Sequence, residues 1–429
     1  MRLLSRITPA LLRANVPFRR FFAAQTISLI GDQVTLIALP LVAVLELDAG
    51  AAEMGYLTAA ALVPNLLFSL HAGAFMDRRG RRRQAMIAAD VGRGLLLALV
   101  PLSAALGVVS LTELYVIAFL SGTLSVVFMV AYNALFVAIV TRDDYVKAIS
   151  LINGSRSLSS VAGPSLGGVL VQLLTAPLAV AADAVSYLAS AWFLRRVEAV
   201  EPPREESSEG LILGGVRFIA GSPIVRSALG ATATINFFNF AFFALFVLYA
   251  TRTLGVTPAR LGLVLGAGAV GGVIGALITG RIARRIGVGP TFVAGCVLFP
   301  AALLLVPLAG GPMYLVLLAL FAAEFGAGFG VMMLDISIGA LFAAVIPDRF
   351  RSRVTGAYML VNYGVRPLGA LAAGALAAAI GTRETLWIAT AGGLLGVLWL
   401  LPSPLLRLRE LPEASDEAQP AEVTAPELV

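Results

Sequence analysis

The sequence is poor in the residues on which most enzymes and metal sites depend. Among its 429 residues there are one histidine, one cysteine and one lysine, and only 13% of the residues are charged. One histidine excludes an H-E-x-x-H zinc motif, and Lys147 follows Val146, so no G-x-x-x-x-G-K-[ST] phosphate-binding loop exists. Cys296 has no second cysteine with which to form a disulfide within the chain. We therefore predict that the protein is not an enzyme and uses no cofactor or metal.

Apolar residues dominate the composition instead. They make up 59% of the chain and give a mean hydropathy of +0.91, which is too apolar for a soluble domain. Most of the apolar stretches reach the roughly 20 residues that a helix needs to cross a bilayer, and the alternating pattern of membrane strands is not found. The sequence predicts an all-α membrane protein with twelve transmembrane helices. The stretches lie near 21–46, 54–76, 84–108, 112–138, 147–173, 176–195, 225–250, 259–280, 288–309, 313–340, 353–380 and 384–405.

The arginines predict how these helices are oriented. With the N-terminus in the cytoplasm, the cytoplasmic segments carry 25 basic residues and the outer loops carry three, Arg252, Arg260 and Arg383. Because basic loops stay inside, both termini are expected in the cytoplasm. The net charge of +6 is spread over many loops, which fits a lipid bilayer as partner and excludes a nucleic-acid groove. Thirty of the 31 basic residues are arginine, which favours a GC-rich bacterial genome and hence the bacterial cytoplasmic membrane.

A polar interruption at 196–224 divides the chain into two parts. It is rich in Pro, Ser and Glu, as expected of a linker, and its end at 211–220 predicts a short amphipathic helix at the inner membrane surface. The two parts echo each other, because the glycine and arginine spacing at 73–80 returns at 280–287, 207 residues later. The predicted units are a cytoplasmic lead-in (1–20), an N-terminal six-helix half (21–195), a linker with its amphipathic helix (196–224), a C-terminal six-helix half (225–405) and a disordered cytoplasmic tail (406–429).

The loop after the second apolar stretch carries the most specific motif. Its pattern is G-x-x-x-D-R-x-G-x-R-R, formed by Gly73, Asp77, Arg78, Gly80, Arg82 and Arg83. This pattern resembles the signature loop between helices 2 and 3 of the major facilitator superfamily of secondary transporters. The resemblance implies two parallel six-helix pseudo-repeats around a central cavity lined by helices 1, 4, 7 and 10. It also implies that this loop is a conformational switch.

Glycine-rich strings mark two helices that are expected to pack closely. The fifth stretch contains G-P-x-x-G-G, formed by Gly163, Pro164, Gly167 and Gly168, and the eighth contains three G-x-x-x-G pairs. The first string resembles the signature of the superfamily's antiporters, which are mainly exporters. In that family, helices 5 and 8 meet across the two halves. Ser159 replaces an upstream glycine of the longer family pattern.

Further local resemblance indicates one branch of the superfamily. Gly31-Asp32, the segment 182–188 and Arg217-Phe218 resemble the enterobactin-exporter and macrolide-efflux branch. The resemblance implies a monomeric carrier that exports a small amphipathic molecule (a drug, macrolide or siderophore) in exchange for protons, by alternating access. An importer on the same fold and a non-transporting sensor are the alternatives. Residues 112–138 contain no arginine, so coupling schemes that need an arginine in helix 4 do not apply.

Charged residues within the apolar stretches are the candidates for function, because each costs roughly 2.5–3.5 kcal/mol at mid-bilayer. Asp32 and Glu324 lie near mid-depth and are the candidate proton-coupling groups. Asp32 lacks an obvious basic neighbour, so it either binds protons or is hydrogen-bonded for packing, whereas Glu324 has Arg366 at similar depth as a candidate partner. Asp90 and Arg93 are three residues apart, which permits an intrahelical pair. The polar candidates for the cavity are Gln25, Tyr132, Asn133, Asn236, Asn239 and Arg366.

Overall fold

Twelve long helices build the described part of the chain, and no strand occurs in it. The computed structural model describes residues 9–79, 81–198 and 211–409. The helices are α1 (Val16–Glu46), α2 (Ala51–Arg79), α3 (Arg82–Ala105), α4 (Leu111–Ile139), α5 (Tyr145–Leu173), α6 (Ala176–Arg195), α7 (Pro223–Leu248), α8 (Pro258–Ile286), α9 (Val288–Leu303), α10 (Met313–Val345), α11 (Asp348–Ile380) and α12 (Thr382–Leu394). The predicted all-α class with twelve helices is confirmed.

Ten of the helices in the described ranges are long and apolar enough to cross a membrane. The two others, α5 and α12, lie where the sequence predicts transmembrane helices. α5 has 29 residues, but its first half is polar and includes Lys147, Asn153 and Arg156. α12 has 13 α-helical residues, which a 3-10 turn over Leu395–Trp399 lengthens. The protein is therefore a multi-pass membrane protein, because such helices satisfy their own backbone hydrogen bonds within lipid.

Short polar residues and glycine set several helix boundaries. The side chains of Asn15, Ser110 and Ser222 accept hydrogen bonds from backbone N–H groups three residues later, at 2.9, 3.3 and 3.4 Å. Each bond satisfies one of the amides that a helix leaves unpaired at its start. Gly287 separates α8 from α9 with a φ of +100°, a conformation that few other residues adopt. The chain can therefore reverse direction there within one residue.

Arginines near the helix ends distinguish the two ends of the bundle. At one, the arginine-rich end, the first or last turns of five helices carry Arg19, Arg82, Arg195, Arg285 and Arg351. The opposite end holds six connections of the described chain, α1–α2, α3–α4, α5–α6, α7–α8, α9–α10 and α11–α12. Each half therefore runs back and forth between these two ends.

Apolar packing joins the two halves near the opposite end. One hydrophobic core there contains side chains of both halves, among them Leu41, Leu57, Leu245 and Leu261. Toward the arginine-rich end, the described residues form separate cores, one within the N-terminal half and two within the C-terminal half and its preceding short helix. The halves therefore touch near the opposite end and leave a gap that opens toward the arginine-rich end.

Two glycine contacts form the seams between the halves. In the seam between α5 and α8, a Cβ added at Gly168 would lie 3.1 Å from the Cα of Gly262. In the seam between α2 and α11, a Cβ added at Gly55 would lie 3.0 Å from the Cα of Gly374. Gly168 and Gly374 are 206 residues apart and Gly55 and Gly262 are 207 apart, so the two seams are one contact repeated. The six-helix pseudo-repeats predicted from the sequence are thus visible in the packing.

A short helix over Leu211–Gly221 precedes α7, where the sequence predicts an amphipathic helix at 211–220. It lies against the start of α11, because a Cβ added at Gly215 would be 2.2 Å from the carbonyl oxygen of Arg353. This contact fixes the end of the linker to the C-terminal half.

Parts of the predicted linker and tail lie outside the described residues, namely 199–210 and 410–429. The described start of the predicted tail packs on the bundle. The backbone N–H of Gly289 donates to the carbonyl oxygen of Leu408 at 3.0 Å. Residues up to 409 therefore contact the start of α9.

Candidate transport site

A buried polar network lies inside the N-terminal half. The guanidinium of Arg93 pairs with Asp90, one turn earlier on α3, as their spacing predicts. It also donates to the hydroxyls of Ser125 on α4 and Tyr187 on α6, at 3.3 and 3.4 Å. Ser190 donates to the other carboxylate oxygen of Asp90 at 2.6 Å. Since buried charges persist only when they are paired, this network holds Arg93 as the positive centre of the half.

Asp32 joins this network through a tyrosine. The hydroxyl of Tyr187 donates to Asp32, and the same hydroxyl accepts from Arg93. The expectation that Asp32 lacks a basic neighbour is therefore wrong, because the charge of Arg93 acts on it across Tyr187. The guanidinium also lies over the rings of Tyr187 and Phe128, 4.1 and 4.5 Å from their centroids. Asp32 itself is half-buried.

Asp183 on α6 is a third carboxylate at this site. A glycine lets α1 and α6 approach here, because a Cβ added at Gly31 would lie 2.1 Å from Oδ1 of Asp183. Asp183 is fully buried; Oδ1 accepts from Ser186 at 2.8 Å, and Oδ2 makes no hydrogen bond of normal geometry in the described part. The sequence signal for it is the shared α6 face of Asp183, Ser186 and Ser190. The N-terminal half thus holds three carboxyl groups around one guanidinium.

The C-terminal half holds a different network, between α7 and α11. Nε of Arg366 donates to the amide oxygen of Asn236 at 3.1 Å, and the amide nitrogen of Asn236 donates to Asn362 at 3.0 Å. The hydroxyl of Tyr358 lies 2.7 Å from that of Thr232 in the next turn. The hydrogen-bonded partners of Arg366 in this network are neutral, so they orient its charge without cancelling it.

Glu324 does not pair with Arg366, so that predicted pair is wrong. Within the described ranges Glu324 has no hydrogen-bonding or ion-pair partner, and a Cβ added at Gly268 of α8 would lie 3.1 Å from its Oε2. Arg366 instead lies between the rings of Phe240 and Tyr363, 4.9 and 4.3 Å from their centroids. Similar depth does not bring two side chains together, because the rotation of each helix decides which neighbour they face.

The other cavity candidates are dispersed. Gln25 is buried in α1, and its amide nitrogen has no hydrogen-bond partner among the described residues. Tyr132 on α4 stacks on Phe21 with ring centroids 5.3 Å apart, whereas Asn133 is exposed. Asn239 lines a small void with residues of α9 and α12, so it faces the interior of its own half and not the gap. Among these candidates Arg366 and Asn236 contact each other, and the role of the set in lining a cavity stays a prediction.

The glycine string of α5 packs against both neighbours of that helix. A Cβ added at Gly163 would lie 2.4 Å from the Cβ of Gln33, and Gly167 lies against the backbone of α1 in the same way. The carbonyl oxygen of Pro164 would be 2.3 Å from a Cβ at Gly262 of α8. Helices 5 and 8 thus meet across the halves, as the family resemblance implies.

The predicted switch loop is described in part. Gly73, Asp77 and Arg78 belong to α2, of which only the backbone is described there, and Gly80 lies outside the described residues. Arg82 is the first residue of α3, and Arg83 donates to the carbonyl oxygen of Val197 just after α6 at 2.6 Å. A positive charge is favourable at the C-terminal end of a helix. Arg83 therefore joins α3 to α6 within one half, and the switch role of the loop stays a prediction.

Polar contacts bridge the halves at the opposite end. Arg252, in the π-helical turn after α7, donates to Asp48 at 2.9 Å and to the carbonyl oxygen of Val44 at 3.0 Å. Gln172 on α5 accepts from the backbone N–H of Ala259 at the start of α8, at 3.2 Å. These contacts act with the glycine seams to close the gap at this end.

Known proteins resemble this chain in sequence and in fold. A sequence profile described as Major Facilitator Superfamily matches residues 21–366 and 228–426. The multidrug efflux pump Tap of Mycolicibacterium fortuitum is 30% identical over 414 residues, covering 92% of this chain and 96% of that protein. The enterobactin exporter EntS of Citrobacter koseri is 26% identical over 431 residues, covering 95% and 97%. A crystal structure of a bacterial homologue of the iron transporter ferroportin, in an inward-facing state, has a TM-score of 0.70 at 16% identity, covering 92% of this chain and 99% of that one.

These matches extend over both halves of the molecule. The structural likeness reflects the fold, and the profile and the sequence relatives carry the family assignment. Together with the repeated seams and the charges buried between the helices, they give one conclusion. The chain belongs to the Major Facilitator Superfamily and is a membrane transporter, not an enzyme.

Proposed function

We propose that the protein exports a small amphipathic molecule from the bacterial cytoplasm in exchange for protons, by alternating access to a site between its halves. Two of its sequence relatives are named as an efflux pump and an exporter, and the chain aligns with each over more than nine-tenths of both lengths. The close packing of the α5 glycine string against α8 also supports export, because that string resembles the antiporter signature.

The arginine-rich end faces the cytoplasm in this proposal, as the bias of basic residues favours. The gap between the halves then opens inward, in a state that can take substrate from the cytoplasm. Release on the other side requires the two glycine seams and the contacts of Arg252 to separate while the arginine-rich ends close. The separate hydrophobic cores within each half fit such a rocking motion.

Asp32 is the proposed proton-coupling residue, and the acid cluster around it is the observation that carries the proposal. Three carboxyl groups share one guanidinium, so the cluster has excess negative charge if all three ionise, and a bound proton lowers that cost within the bilayer. Asp90 and Asp183 are fully buried, whereas Asp32 is half-buried and therefore the most accessible of the three. Glu324, half-buried and without a partner in the described part, is the second candidate.

Inside-out membrane vesicles under an imposed pH gradient test the proposal. Wild-type vesicles are expected to accumulate members of a panel of catechol siderophores, macrolides and lipophilic cations, and a protonophore should stop this. Asp32→Asn should abolish gradient-driven accumulation and keep downhill exchange. Asp143→Asn, which changes an exposed acid just before α5, is the matched control. Wild-type accumulation by Asp32→Asn would contradict the assignment and transfer the role to Glu324, which Glu324→Gln then tests.

A further inference from the structure

α5 has two exposed faces of opposite character. One face carries Leu158, Val169 and Leu173, which are 67%, 39% and 75% exposed and suit contact with lipid. The other face is polar and lies in the first half of the helix. Its residues follow i, i+3, i+4, i+7 spacing and are Asn153, Arg156, Ser157 and Ser160.

The polar face of α5 lines the gap between the halves. In the second half of the helix the same face continues as Pro164, Gly168 and Val171, which pack on α8 and in the core shared by both halves. The contact with α8 reaches Gly266, where an added Cβ would lie 3.0 Å from the carbonyl oxygen of Val161. Beyond this point, toward the arginine-rich end, the cores of the two halves are separate. This face of α5 is therefore buried near the opposite end and faces the gap near the arginine-rich end.

Arg156 is the uncompensated charge on this face. Its residue is exposed, and its guanidinium takes part in no ion pair or side-chain hydrogen bond within the described ranges. The charge of Arg156 acts on Tyr132 of α4, so the guanidinium lies near α4. A charge within a membrane helix is costly and marks a water-filled path or a substrate site.

The C-terminal half presents a second guanidinium on the equivalent helix face. α5 and α11 correspond through the same 206-residue offset that relates the seams, so Gly163 corresponds to Gly369 and Ser160 to Arg366. Arg366 is half-buried, and of its nitrogens only Nε has a hydrogen-bond partner among the described residues. Its two terminal NH2 groups are therefore available to a ligand in the gap.

Two acids lie near the gap, and neither is a partner for Arg156. Asp335 is exposed on α10 and lies within electrostatic range of Arg366. Glu324 is turned toward α8 at Gly268. The carboxylate that would complement Arg156 is therefore absent from the described chain near it, and a substrate can supply it.

We propose that the gap binds an amphipathic organic anion, a carboxylate or phenolate, whose acidic oxygens are held by Arg156 and faced from the other half by Arg366. This inference rests on the proposed export function and names its substrate class. The planar guanidinium offers paired N–H groups that match two oxygens of such an anion. A membrane potential that is negative inside would also favour export of an anion.

Binding of fluorescein, which carries a carboxylate and a phenolate, tests the proposal on the purified full-length protein by fluorescence anisotropy. Arg156→Gln should weaken fluorescein binding about tenfold to a hundredfold, because charge-assisted hydrogen bonds are lost. Arg156→Lys should restore part of the affinity, which also shows that the site folds. Arg142→Gln removes an exposed arginine just before α5 and is the charge-matched control. Ethidium, an amphipathic cation, should bind Arg156→Gln at least as well as wild type.

Two results would overturn the anion assignment: equal fluorescein affinity of wild type and Arg156→Gln, or wild-type binding of ethidium without binding of fluorescein. Uptake into inside-out vesicles separates this outcome from failure of the export proposal. If the vesicles take up ethidium but not fluorescein under a pH gradient, proton-coupled export is supported and the anion assignment is wrong. Arg156-dependent binding of fluorescein without gradient-driven uptake keeps the anion site and contradicts proton-coupled export.

Discussion

The two halves share one backbone plan but hold different polar chemistry. In the N-terminal half, three carboxyl groups surround Arg93, and the network is closed within α1, α3, α4 and α6. In the C-terminal half, Arg366 is held by the amide of Asn236, and Glu324 lies apart from it. One half holds a buried cluster of acids around its arginine, whereas in the other half the arginine makes its hydrogen bond to a neutral amide.

The features that the two halves share suit the rocking motion, and the features that they do not share suit the proposed proton coupling. Motion needs backbones that touch and part, so the glycines of both seams recur at the same offset in both halves. The proposed proton coupling uses a site in one half only, so the polar residues have no reason to repeat. Asp32 corresponds to no acid in the second half at an offset of 206 or 207, where Phe238 and Asn239 lie. A repeated fold thus carries polar residues that are not repeated.

Substitution of the central arginine of each half is expected to have the largest effect on stability. The loss should be greater for Arg93 than for Arg366. Arg93→Gln leaves Asp90 buried without its cation, which costs about 3–5 kcal/mol, and transport should be lost. Arg366→Gln removes a hydrogen bond to a neutral amide and leaves no buried ion-pair partner behind, so it should cost about 1 kcal/mol. Thermal unfolding of the two purified variants measures this difference.

A double variant completes that comparison. Asp90→Asn combined with Arg93→Gln removes both charges and should recover most of the lost stability, because neither partner is left alone. Equal destabilisation by Arg93→Gln and Arg366→Gln would contradict the contrast between a charged and a neutral network.

Sequence alone predicts the helices and the intrahelical Asp90–Arg93 pair, because both depend on residues close along the chain. It does not predict the bond from Tyr187 to Asp32, since those residues are 155 apart and meet only because α6 packs along α1, closely so at Gly31. The predicted Glu324–Arg366 pair is wrong. Hydropathy indicates how deep each residue lies in the membrane, but it does not indicate how each helix is rotated about its axis.

The glycine seams are expected to give the next largest effects, graded by how tightly they pack. A methyl group at Gly168 would lie 2.3 Å from the carbonyl oxygen of Pro258. Gly168→Ala should therefore destabilise the state that is closed at the opposite end by about 1–3 kcal/mol and favour the state that is open there. Gly374→Ala meets Ala51 at 3.0 Å and should have a smaller effect. Gly154→Ala, with nothing within 4 Å, is the control on the same helix as Gly168.

Labelling of a buried cysteine measures the closure of the seams. Val171 lies in the core shared by the halves, so Val171→Cys in a Cys296→Ser background should react with a water-soluble maleimide only when the opposite end opens. Labelling should rise in Gly168→Ala, rise less in Gly374→Ala and not change in Gly154→Ala. Identical labelling of all three would show that the seams do not control access.

Loss of the contact between Arg252 and Asp48 should have the smallest effect. The size of that effect shows whether charge or backbone packing holds the halves together at this end. Asp48 is 98% exposed, and an exposed ion pair contributes about 0–1 kcal/mol, which is at most roughly a fivefold change in an equilibrium. Arg252→Gln should therefore raise labelling at position 171 by no more than about fivefold and leave thermal stability unchanged. High salt should produce part of that rise in the wild-type background, because salt screens the exposed ion pair but neither the bond from Arg252 to Val44 nor the glycine contacts. Arg260→Gln, which removes a nearby exposed arginine, should change neither. If Arg252→Gln matched Gly168→Ala in effect, the two halves would be held closed at this end by charge and not by backbone packing.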